Sequence, residues 1–308
     1  MSTIEKAMAK LDRSPGTFGL VKQTESIAFH EQNERQNQPV RQQNQQNLEP
    51  SQTKQNVLVI DDMRLKELGM ISSNTTIQER LVRDEFRVIK QKLLKNAFAT
   101  NTSLACRKNN LVMVSSTRSN EGKTFISINL ALSIASEQDK TVLLIDADVL
   151  SPSVDDVLEL GQQAGLIDYL TGEIDDVGKI IYSTTVPDLR IMPAGRAHHM
   201  SYELLSSDRM ILLMQELASR YPDRIVVLDC PPLLGVVETV TLSNLIGQAV
   251  VVVEQNKTKT SDITQAVSLL NSEMNIGFII NKAVHKTSYS YGYGYGYGYG
   301  YGSKDRNK

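Results

Sequence analysis

The segment Val114-Ser115-Ser116-Thr117-Arg118-Ser119-Asn120-Glu121-Gly122-Lys123-Thr124 follows the apolar run Leu111–Ser115 and leads into the apolar stretch Thr124–Glu137. A strand, a short polar loop and a helix in that order form the setting of a phosphate-binding loop. Backbone N–H groups curl round phosphate oxygens there, and the helix N-terminus adds partial positive charge. In such a loop Lys123 would reach the β- and γ-phosphates, the Thr124 hydroxyl would ligate Mg²⁺, and Gly122 would permit close approach. The full pattern begins with Gly six positions before the Lys, and Thr117 stands there. A Gly-Lys-Thr trimer also arises by chance at helix starts, so the reading depends on what surrounds it.

Two further segments supply that context. Leu143-Leu144-Ile145-Asp146-Ala147-Asp148 places two carboxylates at the end of the next apolar run. The C-terminal ends of strands are where open α/β sheets bind ligands, and residues at i and i+2 share a strand face. Ile225-Val226-Val227-Leu228-Asp229-Cys230-Pro231-Pro232 is a third apolar run, ending in a single acid suited to the Mg²⁺ shell. Without the loop, all three acids read as ordinary strand-end charges.

Further short apolar runs lie at Leu189–Pro193, Ala249–Glu254 and Ile276–Asn281. Helical periodicity covers Ile77–Lys95, Tyr202–Arg220, Val237–Leu245 and Ser261–Ser272. Val- and Ile-rich runs without polar alternation belong to strands covered on both faces, so the fold class is α/β, a doubly wound, mostly parallel sheet.

Composition bounds the rest. A chain of 308 residues fits one α/β core with appendages. Hydrophobic residues make up 41% and Trp is absent, which is lean enough to leave part of the chain unpacked. The net charge of −2 gives no sign of nucleic acid as a partner. Cys106 and Cys230 read as small buried hydrophobes in a reducing compartment, and no window is long and apolar enough for a secretion signal or membrane helix. The expected location is cytoplasmic.

Four regions follow. Residues 1–30 contain Ile4, Ala7, Met8 and Leu11 at the spacing of a short amphipathic helix. Residues 31–56 are rich in Gln and Asn and read as a flexible linker. Residues 57–285 hold the catalytic α/β domain, and residues 286–308 form a tail. In that tail Tyr289, Tyr291, Tyr293, Tyr295, Tyr297, Tyr299 and Tyr301 alternate with Gly or Ser, with no core to fill. Such a tail is either a modification segment or a sticky aromatic patch for a partner or a sugar. From Lys282 to Tyr301 its root-mean-square reach is about 25 Å, from ~5–6 Å × √19, a length that permits a neighbour's site or its own.

The three motifs together resemble the bacterial tyrosine kinases, the P-loop autokinases of capsule and exopolysaccharide synthesis, and among them those of exopolysaccharide and exosortase loci. Met192-Pro193-Ala194-Gly195 and Glu203-Leu204-Leu205-Ser206-Ser207 add to the likeness. The resemblance implies a P-loop NTPase core of the MinD/ParA type. It implies ATP and Mg²⁺ as cofactors and transfer of the γ-phosphoryl group to the tail tyrosines, between subunits of a ring-like homo-oligomer. It also implies that Ser119, Asn120, Glu121, Gly122, Lys123, Thr124, Phe125 and Asn281 bind the nucleotide. On the same resemblance Thr124, Asp146 and Asp229 would hold the metal, and Lys123, Asp146 and Asp148 would be catalytic. Asp148 then receives the tyrosine proton, although the two neighbouring carboxylates can exchange roles. A membrane activator of the chain-length-determinant type, which recruits the chain to the inner membrane, and a phosphotyrosine phosphatase are the implied partners.

There are departures from the family pattern. Leu150 stands where an Arg is usual, with Pro152 retained, and Ser119-Asn120 replaces a common Pro-Gly. Asp84-Glu85-Phe86-Arg87-Val88-Ile89-Lys90 only approximates the acidic-to-basic helix motif used in ring formation. Two rival readings use the same residues. A MinD/ParA-like ATPase switch would carry a second Lys at the position of Arg118, and an idle scaffold of a polysaccharide export complex would need no turnover. His198 and His199 read as surface residues rather than metal ligands.

Overall fold

The computed structural model describes residues 57–73, 77–99, 108–221 and 223–283. The N-terminal helix, the Gln/Asn linker, Cys106 and the tyrosine tail lie outside the described residues.

Among the described residues seven strands form one sheet in the order β3-β4-β2-β5-β1-β6-β7. They are β1 (Leu111–Ser116), β2 (Thr141–Asp146), β3 (Tyr182–Ser183), β4 (Leu189–Met192), β5 (Arg224–Asp229), β6 (Gln248–Glu254) and β7 (Asn275–Asn281). All pairings are parallel except β3 with β4. The strand-to-helix alternation of the sequence therefore folds as a doubly wound α/β sheet, as its double-sided apolar runs require.

Residue alternation divides the core in two. Val112, Val114, Val142, Leu144, Val227 and Val252 face one side, and α1 (Asp62–Glu67), α2 (Ile77–Ala97), α3 (Lys123–Ala135) and α4 (Val154–Leu158) pack there. Met113, Leu143, Ile145, Val226, Leu228 and Val251 face the other side. That face is covered by α5 (Leu166–Leu170), α6 (Ser201–Leu205), α7 (Asp208–Arg220), α8 (Val237–Ser243) and α9 (Thr260–Ser268). Helix α3 is buried on every side from Ile126 to Ala135, its Ser127, Asn129 and Ser133 included, and so anchors the loop before it to the sheet.

The single helix anticipated over Tyr202–Arg220 is two helices. The Ser207 side chain accepts from the Met210 N–H and caps α7, which restarts the chain after α6. Periodicity continues across the break, which is why it is invisible to a hydrophobic pattern. Helix α1 and the two-residue β3 were not anticipated either. Helix α1 is fixed by its cap, where the Asp61 carboxylate accepts from Met63 N–H, and by the burial of Leu65.

Candidate active site

Strands β2, β5 and β1 are neighbours, so the ends of the three motif-bearing strands converge. Asp146 and Asp229 are paired in register across β2 and β5, and Val114, just before the loop, is paired with Asp229 across β1. Parallel neighbours lie ~4.8 Å apart, so topology forces two carboxyl groups together under the loop.

The loop between β1 and α3 is braced from within. The Glu121 carboxylate is buried and accepts from the Thr117 hydroxyl at 2.7 Å, the Arg118 N–H at 3.0 Å and the Thr258 hydroxyl. Thr117, at the position of the usual Gly, is fully buried and gives the loop a side-chain tie where the pattern would have none. Asn120 has φ +66° and Gly122 φ +96°. Asn is among the few non-Gly residues that enter this left-handed region readily, so Asn120 can stand in for a glycine there. Gly122 caps α3 with no side-chain hydrogen bond, so the first N–H groups of the helix stay available to an anion.

The charged groups lie just beyond. Lys123 Nζ is 2.6 Å from Asp148 Oδ2, with both side chains largely buried. Burial works to lower the Lys123 pKa, but Asp229, Asp148 and Asp146 outweigh it and hold it above the ordinary lysine value. Asp146 accepts from the N–H groups of Ser153 and Val154, each at 3.0 Å, and of Asp148 at 3.1 Å. Burial, and then the neighbouring Asp229, push it up to about 8 against the help of those N–H groups. Burial likewise pushes Asp229 up to about 6, opposed chiefly by Lys123 and by hydrogen bonds from Thr124 and Ser127. Ser127 Oγ holds Asp229 Oδ1 at 3.0 Å, while Asp229 Oδ2 is buried with no partner among the described residues. A divalent cation fits this arrangement. Two crowded carboxyl groups, one orphaned carboxylate oxygen and the adjacent Thr124 hydroxyl, 2.7 Å from Ser153 Oγ, are hard oxygen donors of the kind Mg²⁺ takes.

Above these groups opens a cleft of about 930 Å³, lined by Ser119, Asn120, Gly122, Lys123, Thr124 and Asp148 on the loop side. Asn281, at the end of β7, donates to the Glu121 carbonyl at 2.9 Å. Lys282, which also lines the cleft, donates to the Asn120 carbonyl at 2.6 Å. Phe125 is half-buried against the core on the α3 face and does not line the cleft. Lys282 was not singled out from the sequence; the basic residue after the apolar run of β7 was its only signal. Arg118 is 63% exposed and bonds Asp262 on α9 at 2.8 Å. The His198 and His199 rings are tilted to one another with centroids 4.2 Å apart, and neither belongs to a cluster of three or more His, Cys, Asp or Glu suited to a metal among the described residues.

Fold and site define a P-loop nucleotide-binding protein, and the family model described as AAA domain matches residues 109–280. Tyrosine-protein kinase CpsD of Streptococcus agalactiae serotype III is 30% identical over 190 residues, 61% of this chain and 80% of that protein. Tyrosine-protein kinase ptk of Acinetobacter johnsonii is 31% identical over 186 residues, 59% of this chain and 25% of that protein. The matched region thus spans about a quarter of the length of several of the curated relatives. Among solved structures, the kinase domain of Escherichia coli tyrosine kinase ETK superposes with a TM-score of 0.59 at 28% identity, covering 70% of this chain and 81% of that one. The chain belongs to the bacterial tyrosine kinase family.

Proposed function

We propose that this chain is an ATP-dependent protein tyrosine autokinase that passes the γ-phosphoryl group to its C-terminal tyrosines, between subunits of a homo-oligomer. The observation that carries the reading is the Lys123–Asp148 pair, set 2.6 Å apart at the mouth of the loop with Asp146 and Asp229 beneath it. Phosphoryl transfer has a loose transition state, so the protein chiefly positions groups and neutralises charge. Lys123, kept protonated by three carboxylates, serves the terminal phosphates. Thr124, Asp146 and Asp229 would hold Mg²⁺, which when bound would neutralise phosphate charge. Asp148 stands on the cleft wall, where it can accept the proton of an incoming phenol. The phenol oxygen forms the new bond to phosphorus as the bond to the leaving ADP oxygen breaks.

Ser119 to Phe125 and Asn281 form the nucleotide-binding set, with Glu121 acting through its backbone and its internal brace, and Asn281 through its hold on the loop. A role in exopolysaccharide or capsule synthesis or export, a membrane activator that brings a cytoplasmic chain to the inner membrane, and an opposing phosphatase complete the reading. The capsule or exopolysaccharide role is supported by the names of relatives, one of them a putative tyrosine-protein kinase of a Klebsiella pneumoniae cps region. Incubation of the purified chain with labelled ATP and Mg²⁺ tests the proposal. Label on the tail that disappears in Lys123→Met supports it, free phosphate alone favours an ATPase switch, and neither favours a scaffold.

A further inference from the structure

The two edges of the sheet are finished differently. At one, β3 has only two residues, and Leu58 bridges Thr184 just beyond it. At the other, β7 runs for seven residues, Asn-Ile-Gly-Phe-Ile-Ile-Asn, without a charge, a proline or a bulge. Edge strands that stay unpaired usually carry one of those devices, because their outer N–H and C=O groups offer a template to any other strand. Among the described residues no strand lies beyond β7.

The side chains of β7 are open as well. Phe278 and Ile280 lie beside Val251 and Val253 of β6 in the parallel register, and those two valines are buried. Phe278 is 51% exposed and Ile280 65% exposed. The helix on this face, α9, adds Ala266 to the cluster that holds the valines, so cover ends one strand short of the edge. The half-buried Ile276, on the same face by alternation, completes an apolar row with a period of two. The opposite face of β7 offers only Gly277 and the half-buried Ile279 between its terminal asparagines.

The chain itself provides a segment of matching period within reach. Lys282 follows β7 at φ +54°, a left-handed conformation that turns the backbone out of the strand direction. From Tyr289 to Tyr301 tyrosine then occupies every second position, with Ser290 and then glycines between. Laid antiparallel along β7, such a segment places all its rings on one face. A one-residue slip turns every ring away from Ile276, Phe278 and Ile280, whereas a two-residue slip restores the pairing, so several registers are equivalent. Aromatic rings set against aromatic or β-branched neighbours are among the favourable cross-strand pairs. The short connection holds the segment at an effective concentration in the mM range, while its glycines cost entropy on ordering and keep docking reversible. We infer that the β7 edge is the docking site of the chain's own uncharged Tyr-Gly segment, which adds to the sheet as an antiparallel strand with its rings on Phe278 and Ile280. Negative charges placed on the rings would lie in a row ~7 Å apart over an apolar face and drive the segment off. Neither Phe278 nor Ile280 lines the nucleotide cleft, and the inference holds whether or not this chain is the kinase that modifies its tail.

The test is hydrogen exchange read by mass spectrometry on the intact chain without nucleotide. Gly292→Pro, Gly296→Pro and Gly300→Pro together bar the tail from strand pairing and keep every ring and charge. In that variant the amides of residues 275–281 should exchange about threefold or more faster than in wild type, with residues 224–229 of β5 unchanged. Phe278→Ser with Ile280→Ser, both at exposed positions, should strip protection from the amides of residues 289–301 with little change in melting temperature. Tyr291→Glu, Tyr295→Glu and Tyr299→Glu should do the same. Equal exchange of residues 275–281 in wild type and the proline variant overturns the inference, and so does tail protection that survives the serine pair. Protection of β7 that disappears when wild type is diluted overturns it as well, because a second copy would then be covering the edge. Failure to transfer phosphate from ATP to the tail would count against the kinase reading alone and leave these results standing.

Discussion

The Asn281 carboxamide donates to the Glu121 carbonyl at 2.9 Å, and the same nitrogen would lie 2.1 Å from a Cβ added at Gly122. The last residue of the edge strand thus seals the phosphate loop at the one point where the loop has no side chain. Gly122→Ala must displace Asn281 and also hold Ala at φ +96°. Such strain costs roughly 1–3 kcal/mol. Nucleotide affinity measured by titration calorimetry should fall about tenfold or more, and an unchanged affinity would refute the seal.

Asn120 provides a milder test of the same loop. Asn120→Gly suits the left-handed backbone at φ +66° and should keep thermal stability within ~0.5 kcal/mol of wild type. Asn120→Val should cost about 1–2 kcal/mol, because a β-branched residue is poorly accommodated there. Equal melting temperatures for the two variants would show that the loop relaxes freely.

The Asp146 and Asp229 pair predicts a pH dependence. Both have folded pKa values raised above 3.8, to about 8 and about 6, so between those limits the folded chain binds more protons than the unfolded one. Stability of the metal-free protein should fall as pH rises from about 4 to about 8. Asp229→Asn should raise the melting temperature at pH 8 in the absence of Mg²⁺ while weakening Mg-dependent nucleotide binding. A melting temperature that climbs steadily over this range in the metal-free protein would contradict the assignment.

Lys90 closes the helix motif that the sequence likened to a ring-forming one, yet its ammonium points inward. It donates to the Ser133 carbonyl at 2.9 Å at the end of α3 and pairs with Glu137 at 2.5 Å. Lys90→Met should therefore lower stability of the chain itself, by about 1–3 kcal/mol, through lost bonds to a buried carbonyl. Chemical denaturation at several protein concentrations checks this. A loss that vanishes on dilution would instead place Lys90 in a subunit contact.

Much of this architecture was legible in particular residues. The runs at Leu111, Val142, Ile225 and Ala249 are apolar on both faces and fold as interior strands, whereas the equally apolar run at Ile276 folds as the edge strand β7, with Phe278 and Ile280 exposed. Gly122-Lys123-Thr124 at the head of an apolar helix read as a phosphate loop only beside the acids that end the runs at Val142 and Ile225. The break at Ser207 was not legible, because a cap adds one hydrogen bond without disturbing the 3.6-residue pattern. Nor were the internal roles of Glu121 and Thr117, whose partner Thr258 lies 137 residues away from Glu121.

The order of residues alone determined which strands end in acids and which helix begins with Gly-Lys-Thr, since local periodicity and turn chemistry are written in neighbouring positions. Tertiary structure alone decided that β5 lies between β1 and β2. That adjacency sets Asp146 beside Asp229 and aims Lys123 at Asp148, while the order β1-β6-β7 on the other side brings Asn281 and Lys282 onto the loop from the edge of the sheet. Strand order is fixed by how two apolar faces are buried together, a property of the whole chain that no single segment contains.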